Sequence, residues 1–453
     1  MTTISMRGYE VLKTSLESGD IDALRRDLTV KPHVSVEISG ENVKEFPVFH
    51  ETDDAIIVPK YFGLRNFGEP DTIALASPPP ASIDVPFAGS LRPEQQRAVD
   101  AFLEAARDPL RMGGILSLPC GGGKTVCALS IVAALGVKTM VVVHKDFLLN
   151  QWKERIEAFL PSARVGVFRG KKRETEDRDI IIGTLQTLSM QEFDPHRLFG
   201  DVGLICVDEC HRTGAEVFCR VYQRLTTKYA LGLSATLVRK DGLSKVFRWH
   251  IGETVFKGES GGRGEVHARM CTFPGGNAKD GYGREFKLYN GTTLNISKMI
   301  NAVCACPERN AYICDLVREA FGKEPGRKAL VLSDRRQHLH DLRDILSAAG
   351  VSCGFYYGGL SQDALRASEA CAVLLATYAF CAEGLDVAAL DTLVLASPKS
   401  DVVQATGRIL RQKPESRAHV PVILDVVDDY SLFARQAAKR KRYYGTQGYE
   451  IKT

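Results

Sequence analysis

From residue 89 onward, short apolar runs alternate with longer amphipathic ones, and this happens twice, on either side of a glycine- and charge-rich stretch. Strands that are apolar throughout must be covered on both faces, and helices returning between them supply that cover. The pattern therefore requires parallel, helix-covered sheets. In the first block the strand runs are ILSLP (115–119), KTMVVVH (138–144), DIIIGTL (179–185), VGLICVDE (202–209) and YALGLSAT (229–236). Helical patterns lie between them over 126–135, 148–160 and 215–225. The second block begins near Pro307, with helices over 307–321 and 335–350 and strands over 328–334, 352–357, 372–378, 391–397 and 420–426. The expected fold class is α/β, two tandem domains over 89–255 and 307–453 that create a cleft. Residues 256–306 read as linker and flexible loops around one strand, EVHARMCTF (265–273).

Residues 1–88 form a small α+β accessory domain by the same reading. An amphipathic stretch (21–30) is followed by strand runs VSVEI (34–38), FPVFHE (46–51) and DAIIVPK (54–60), the last two suggesting a hairpin. The prolines of PPPASIDVP (78–86) mark a stiff linker. A chain of 453 residues with 44% hydrophobic and 25% charged residues can bury large cores, which excludes disorder and a small disulfide scaffold. No apolar run approaches the roughly 20 residues of a membrane helix, and the first residues lack a signal pattern. Twelve cysteines, among them Cys206, Cys219, Cys314 and Cys371, sit mostly in apolar patterns, as buried thiols do in a reducing compartment. With no CxxC pair, a zinc site has little support. We read the chain as soluble and intracellular, with nucleus, cytoplasm and viral factory not distinguished.

Charge is unevenly spread. Residues 1–88 hold 8 Lys+Arg and 14 Asp+Glu, a net of −6, so the overall +4 leaves +10 for the remainder. Basic residues interleaved with Tyr443, Tyr444 and Tyr449 in the last twenty positions suit either an anionic backbone or a solvated helix end.

Two motifs carry chemistry. Pro119, Cys120, Gly121, Gly122, Gly123, Lys124 and Thr125 follow a strand and open a helix, the context a phosphate-binding loop needs. Glycines let backbone N–H groups turn toward phosphates, Lys124 neutralises their charge and Thr125 offers a hydroxyl to Mg²⁺. Leu118 stands where the first glycine of GxxxxGK[ST] falls, so the loop suits families that relax that position. The second motif is Val207-Asp208-Glu209-Cys210-His211 at the end of an apolar strand. There Asp208 would hold Mg²⁺ and Glu209 would polarise the attacking water.

With these motifs the chain resembles the superfamily 2 nucleic-acid helicases of DExH type over about residues 89–453. Arg92-Pro93-Glu94-Gln95 is similar to the upstream glutamine motif, Ser234-Ala235-Thr236 to the SAT motif, and Gln404 through Arg411 to QxxGRxxR. Thr377 and Glu383-Gly384-Leu385-Asp386 stand where motif V belongs. LPCGGGKT, which also accounts for Leu118, together with Gln151-Trp152 and GLSATLVRKDG (232–242), resembles the XPB-like branch and its relatives in large DNA viruses and phages.

The resemblance implies two RecA-like domains using ATP and Mg²⁺. ATP contacts would come from Gln95, the loop 119–125, Gly384, Asp386 and Gln404, with Arg408 and Arg411 as arginine fingers. His211, Ser234, Ala235 and Thr236 would relay nucleotide state, although His211 also suits a structural role. His144, Lys145, Thr184, Gln186 and Thr377 would grip nucleic acid, while polar loop residues of this kind also occur without any such role. Lys145 and Gln186 in particular are singled out by no spacing rule. The basic turn 169–173 reads as solvated and Trp152 as core. The implied activity is that of a DNA helicase or double-stranded DNA translocase of 3′→5′ polarity. A transcript-release or RNA-remodelling ATPase is the alternative, and a silent nucleic-acid-binding scaffold the remoter one. Partners would be single- or double-stranded DNA, with RNA or transcription and repair machinery also open, and no membrane.

Overall fold

Strands buried on both faces build the first large sheet. The computed structural model describes residues 1–33, 44–75, 80–119, 121–239, 241–258, 265–275, 282–287, 294–385, 387–412 and 414–452, so the expected strand VSVEI lies outside the described residues. The chain divides into two compact units, Met1–Glu259 and Ser260–Thr453.

In the first unit eight strands run in the order Lys172–Arg173, Val165–Arg169, Ile180–Thr184, Thr139–Val143, Leu204–Asp208, Tyr229–Ser234, Gly113–Ser117 and Thr254–Lys257. All neighbours are parallel except the first pair, a hairpin. Alternate residues serve opposite faces. Val141, Ile180, Ile182, Leu204 and Cys206 pack with helices Pro93–Arg107, Lys124–Leu135 and Asp146–Phe159. Val142, Ile181, Ile205 and Val207 pack with helices Glu216–Arg224 and Ser244–Ile251. Every motif at a strand's C-terminal end therefore emerges along one edge of this sheet, where ligands bind in parallel α/β folds.

The N-terminal segment adds a five-stranded sheet, ordered His50–Glu51, Ala55–Val58, Gly8–Leu12, Thr2–Ser5 and Thr72–Ala74. Its first two strands are an antiparallel hairpin, while Phe46–Pro47 pairs instead with Thr29–Val30. Ile4, Tyr9, Val58 and Tyr61 share one hydrophobic core with the helices Glu216–Arg224 and Ser244–Ile251. The buried Lys60 ammonium donates to the Thr227 and Lys228 carbonyls at 3.1 and 2.6 Å, and the Tyr61 hydroxyl donates to the Met112 carbonyl at 3.0 Å. Burial pushes the Lys60 ammonium down to about 7. Helix Lys60–Phe67 lies so close to the sheet that a Cβ on Gly63 would sit 2.2 Å from the Tyr9 ring. The described part of the proline segment is likewise no free spacer. Ile83 and Val85 are buried in the first unit, and the Ile83 N–H donates to the Gly136 carbonyl at 3.0 Å.

The second unit holds a parallel seven-stranded sheet, ordered Cys353–Tyr356, Val373–Thr377, Ala329–Ser333, Thr392–Leu395, Val422–Val427, His267–Thr272 and Glu450–Lys452. Strand His267–Thr272 thus lies inside this sheet, paired on both sides, so the second fold starts about forty residues before the helix Pro307–Lys323. Helix Ser431–Thr446 carries the basic tail, but Arg440 and Tyr444 are buried in it. The Arg440 guanidinium binds Asp425 at 2.7 and 2.8 Å, and the Tyr444 hydroxyl donates to the same carboxylate at 2.8 Å. A second pair, Arg309 with Asp428, is 0% exposed on both sides, and Arg309 also donates to the Ala396 carbonyl at 2.7 Å. Removing one partner of such a pair strands a charge in a medium that cannot solvate it. Asp428→Ala is expected to destabilise the second unit by about 3–5 kcal/mol, read as a lower urea midpoint for its unfolding transition.

Candidate active site

Three adjacent strands build the site. Gly113–Ser117 leads into the phosphate loop, Tyr229–Ser234 ends at the SAT motif, and Leu204–Asp208 ends at Asp208-Glu209. The loop's tight turn is closed by the Gly122 N–H donating to the Pro119 carbonyl at 2.9 Å, while the Leu118 side chain points into the core. That explains how leucine replaces a glycine at this position. Gly123, at φ 82°, ends the loop in the left-handed region, and a Cβ there would meet the Gln95 amide at 2.0 Å. Gln95 and Arg92 brace the loop. Gln95 Nε2 donates to the Gly122 carbonyl at 3.2 Å, its Oε1 accepts from the Arg92 N–H at 2.9 Å, and Arg92 Nη2 donates to the Gly122 carbonyl at 2.8 Å. Cys120 lies outside the described residues.

Lys124 Nζ lies 3.5 Å from Glu209 Oε1. Asp208 Oδ1 accepts from the Glu209 N–H at 2.9 Å and Oδ2 from the Trp152 indole N–H at 3.0 Å. Glu209 holds a left-handed backbone, φ 47° and ψ 50°, in which a non-glycine residue is strained. Burial pushes the Asp208 carboxyl up, aided by the neighbouring Glu209 charge. Burial acts the same way on Glu209, but Lys124, His211, His144 and Arg212 together outweigh it and hold that carboxyl below the ordinary value. Two adjacent carboxylates are thus pushed apart, which is how one site keeps a ready base beside a second acid. Glu209 Oε2 is buried and accepts no hydrogen bond among the described residues, with His211 Nδ1 at 3.4 Å. An oxygen of that kind suits a water molecule held for attack. Together with the glycine loop and Lys124, this donor set fits a nucleotide with its Mg²⁺.

His211 Nδ1 lies 2.9 Å from Ser234 Oγ, and Ser234 Oγ in turn donates to the Thr236 carbonyl at 2.6 Å. The Ser234 carbonyl accepts from the Leu118 N–H at 3.2 Å, which ties the SAT turn to the phosphate loop. Ala235 and Thr236 are half-buried. A residue given no role by sequence joins this web. Arg239 donates to the His211 carbonyl and, through Nε, to Asp241 at 2.9 Å, while the Asp241 carbonyl accepts from the N-terminal His33 N–H at 2.8 Å. Sequence also missed the brace from Arg92 and the reach of Trp152 to Asp208. Gln151-Trp152 carries the family resemblance, but an apolar helical position accounts for the Trp152 ring and not for its N–H.

The expected strand-contact residues are placed differently from one another. Lys145 and Gln186 are exposed. Thr184 is buried and donates to Thr187 Oγ1 at 2.8 Å, and half-buried His144 acts electrostatically on both Asp208 and Glu209. In the second unit Thr377 precedes the helix Tyr378–Gly384 without a side-chain cap bond to it, Gln404 is half-buried on the helix Val403–Arg408, and Asp386 lies outside the described residues. Arg408 Nη1 and Arg411 Nη2 both donate to the Leu385 carbonyl, at 2.8 and 2.7 Å, tying the QxxGRxxR helix to motif V.

Comparison with known proteins agrees with this site. Residues 88–239 match the family of type III restriction enzyme res subunits, and residues 308–413 match the helicase conserved C-terminal domain. A protein of Acanthamoeba polyphaga mimivirus, provisionally named an ATP-dependent RNA helicase, is 31% identical over 99% of this chain and 86% of its own length. The DNA 3′-5′ helicase XPB of Mycobacterium tuberculosis is 28% identical over 79% of this chain and 64% of its own length. Among solved structures, a point variant of S. cerevisiae Dbp5 bound to RNA and ADP BeF3 shares the fold at TM-score 0.55 and 14% identity, covering 79% of this chain and 88% of that one. The fold and site define a nucleic-acid-dependent ATPase built on two RecA-like domains. The chain belongs to the superfamily 2 nucleic-acid helicases and is an ATP-dependent helicase. No helix among the described residues is long and apolar enough to cross a membrane.

Burial lowers His211 to about 4. Below the ordinary value of about 6.5 the unfolded chain takes up a proton that the fold refuses, so stability present at neutral pH is lost as pH falls through this window. The expected slope is about 1.4 kcal/mol per pH unit from this group. Thermal melts between pH 7 and 5 should record the loss, and His211→Asn should remove part of the slope.

Proposed function

We propose that this helicase hydrolyses ATP to move along DNA, single- or double-stranded, in the 3′→5′ direction. The observation that carries the ATPase part is the convergence of Lys124, Asp208, Glu209 and Ser234 at neighbouring strand ends. The DNA part leans on the XPB-like motifs and on the relative named a DNA 3′-5′ helicase. ATP supplies the phosphoryl group to be transferred to water, with Mg²⁺ screening its charge. Lys124 exchanges Glu209 for phosphate oxygens, and the glycine loop's N–H groups bind them. Thr125 and Asp208 hold the metal side. Released from Lys124, Glu209 orients water and takes its proton. Gln95 braces the loop and reads the base, while Gly384, Asp386 and Gln404 contribute nucleotide contacts. Arg408 and Arg411 neutralise charge developing on the γ-phosphate. His211, Ser234, Ala235 and Thr236 transmit nucleotide state, and His144, Lys145, Thr184, Gln186 and Thr377 serve the nucleic-acid strand. Backbone contacts of that kind make affinity salt-sensitive and nearly sequence-independent.

A second reading, an RNA-remodelling ATPase, is favoured by viral relatives named as RNA helicases, the mimivirus protein and one of African swine fever virus at 24% identity. ATP turnover measured without polymer and with duplex DNA, single-stranded DNA or RNA separates the two. DNA is expected to stimulate turnover by about 10-fold or more, the scale of one catalytic group brought into register. Stimulation by RNA alone would replace the DNA reading with the second one. Lys124→Ala should bind polymer normally and hydrolyse nothing; full turnover by that variant would sink the site assignment.

A further inference from the structure

We propose that Trp152 is a positioning residue for the metal side of the ATP site, and that its indole N–H, rather than its bulk alone, sets the geometry of Asp208 and Glu209. This rests on the reading of Asp208 as the carboxylate that holds Mg²⁺.

Trp152 is 2% exposed in the core beneath helix Asp146–Phe159, and its Nε1 reaches Asp208 Oδ2 at 3.0 Å across 56 residues of sequence. An indole has one donor and no acceptor, and when buried that donor needs a partner. A backbone carbonyl would satisfy it at less cost. Here it is spent on a buried carboxylate, a charge-assisted bond with a defined direction. The other Asp208 oxygen accepts the Glu209 N–H at 2.9 Å. The carboxylate is therefore held from both sides, by a rigid ring and by the peptide of the next residue. That peptide belongs to a residue in the left-handed region, whose backbone strain must be met by local contacts. The chain of contacts runs from indole to Asp208, from Asp208 to the Glu209 backbone, and from the Glu209 side chain to Lys124 at 3.5 Å. Losing the N–H should free the carboxylate to rotate and loosen the strained turn. Metal affinity should suffer most, because it depends on carboxylate orientation held by surrounding groups.

Trp152→Phe keeps an aromatic ring and deletes the donor. Binding of Mn²⁺ in the presence of ADP, followed by electron paramagnetic resonance, should weaken about 10-fold, the scale of one hydrogen bond to a charged group. ADP affinity without divalent metal should not change. In hydrolysis the half-saturating Mg²⁺ should rise about 10-fold. A second measurement leaves position 152 intact. The chain has two tryptophans, Trp152 and Trp249, so Trp249→Phe isolates the emission of Trp152, which Mn²⁺ with ADP should quench. Wild-type Mn²⁺ affinity in Trp152→Phe, with affinity lost in Asp208→Asn, overturns the role of Trp152 alone. Wild-type affinity in Asp208→Asn, or no quenching in Trp249→Phe, overturns the assignment of Asp208 on which it rests.

Discussion

Two consecutive carboxylates at the end of a buried strand are the constraint around which the first unit is arranged. Left alone, Asp208 and Glu209 would repel each other in a medium that solvates neither. The fold resolves this with directed partners. The Trp152 indole and the Glu209 peptide hold Asp208, and the Lys124 ammonium faces Glu209 at 3.5 Å. Each partner arrives from a different element, namely the helix Asp146–Phe159, the helix opened by the phosphate loop, and the strand itself. The strand order that brings these elements together is therefore also what makes the chemistry available.

The opposite, N-terminal edge of the same sheet is where residues 1–88 are fastened to this domain. Lys60 and Tyr61 bind backbone carbonyls at 227, 228 and 112, and the Thr226 N–H donates to the Met6 carbonyl at 2.8 Å. His33 reaches Asp241, whose side chain binds Arg239, and Arg239 reaches the His211 carbonyl. Hydrogen bonds and three side-chain or backbone links thus join the N-terminal segment to the acidic motif. Of the segment's eight basic residues only Lys60 is buried, and it is spent on this contact with the first unit.

Much of this architecture is legible in the amino-acid sequence. Uninterrupted apolar runs such as TMVVV and LICVD can satisfy both faces only inside a parallel sheet, and the glycine loop announces itself through spacing. What sequence hid has physical causes. EVHARMCTF looked like a strand stranded in a loop, because glycine- and charge-rich flanks mask an interior strand whose partners, 422–427 and 450–452, lie far along the chain. Arg440 and Tyr444 read as a basic, aromatic tail because local pattern cannot show that Asp425 awaits them in the core. Trp152 read as packing because hydrophobic periodicity records the ring and is blind to its N–H. Gln95 carried the right motif, yet its amide turned out to brace the loop as well, a contact set by three-dimensional proximity to Gly122.

The proposed chemistry depends on Glu209 to activate water while Lys124 and Asp208 serve binding. The most direct test is Glu209→Gln, with Mg²⁺-ATP affinity measured by calorimetry beside turnover in the presence of nucleic acid. Affinity within a few-fold of the parent, with turnover lower by about 10²–10⁴, is the predicted result. Turnover at the parental rate would contradict the central assignment and require the base to be sought elsewhere in the site.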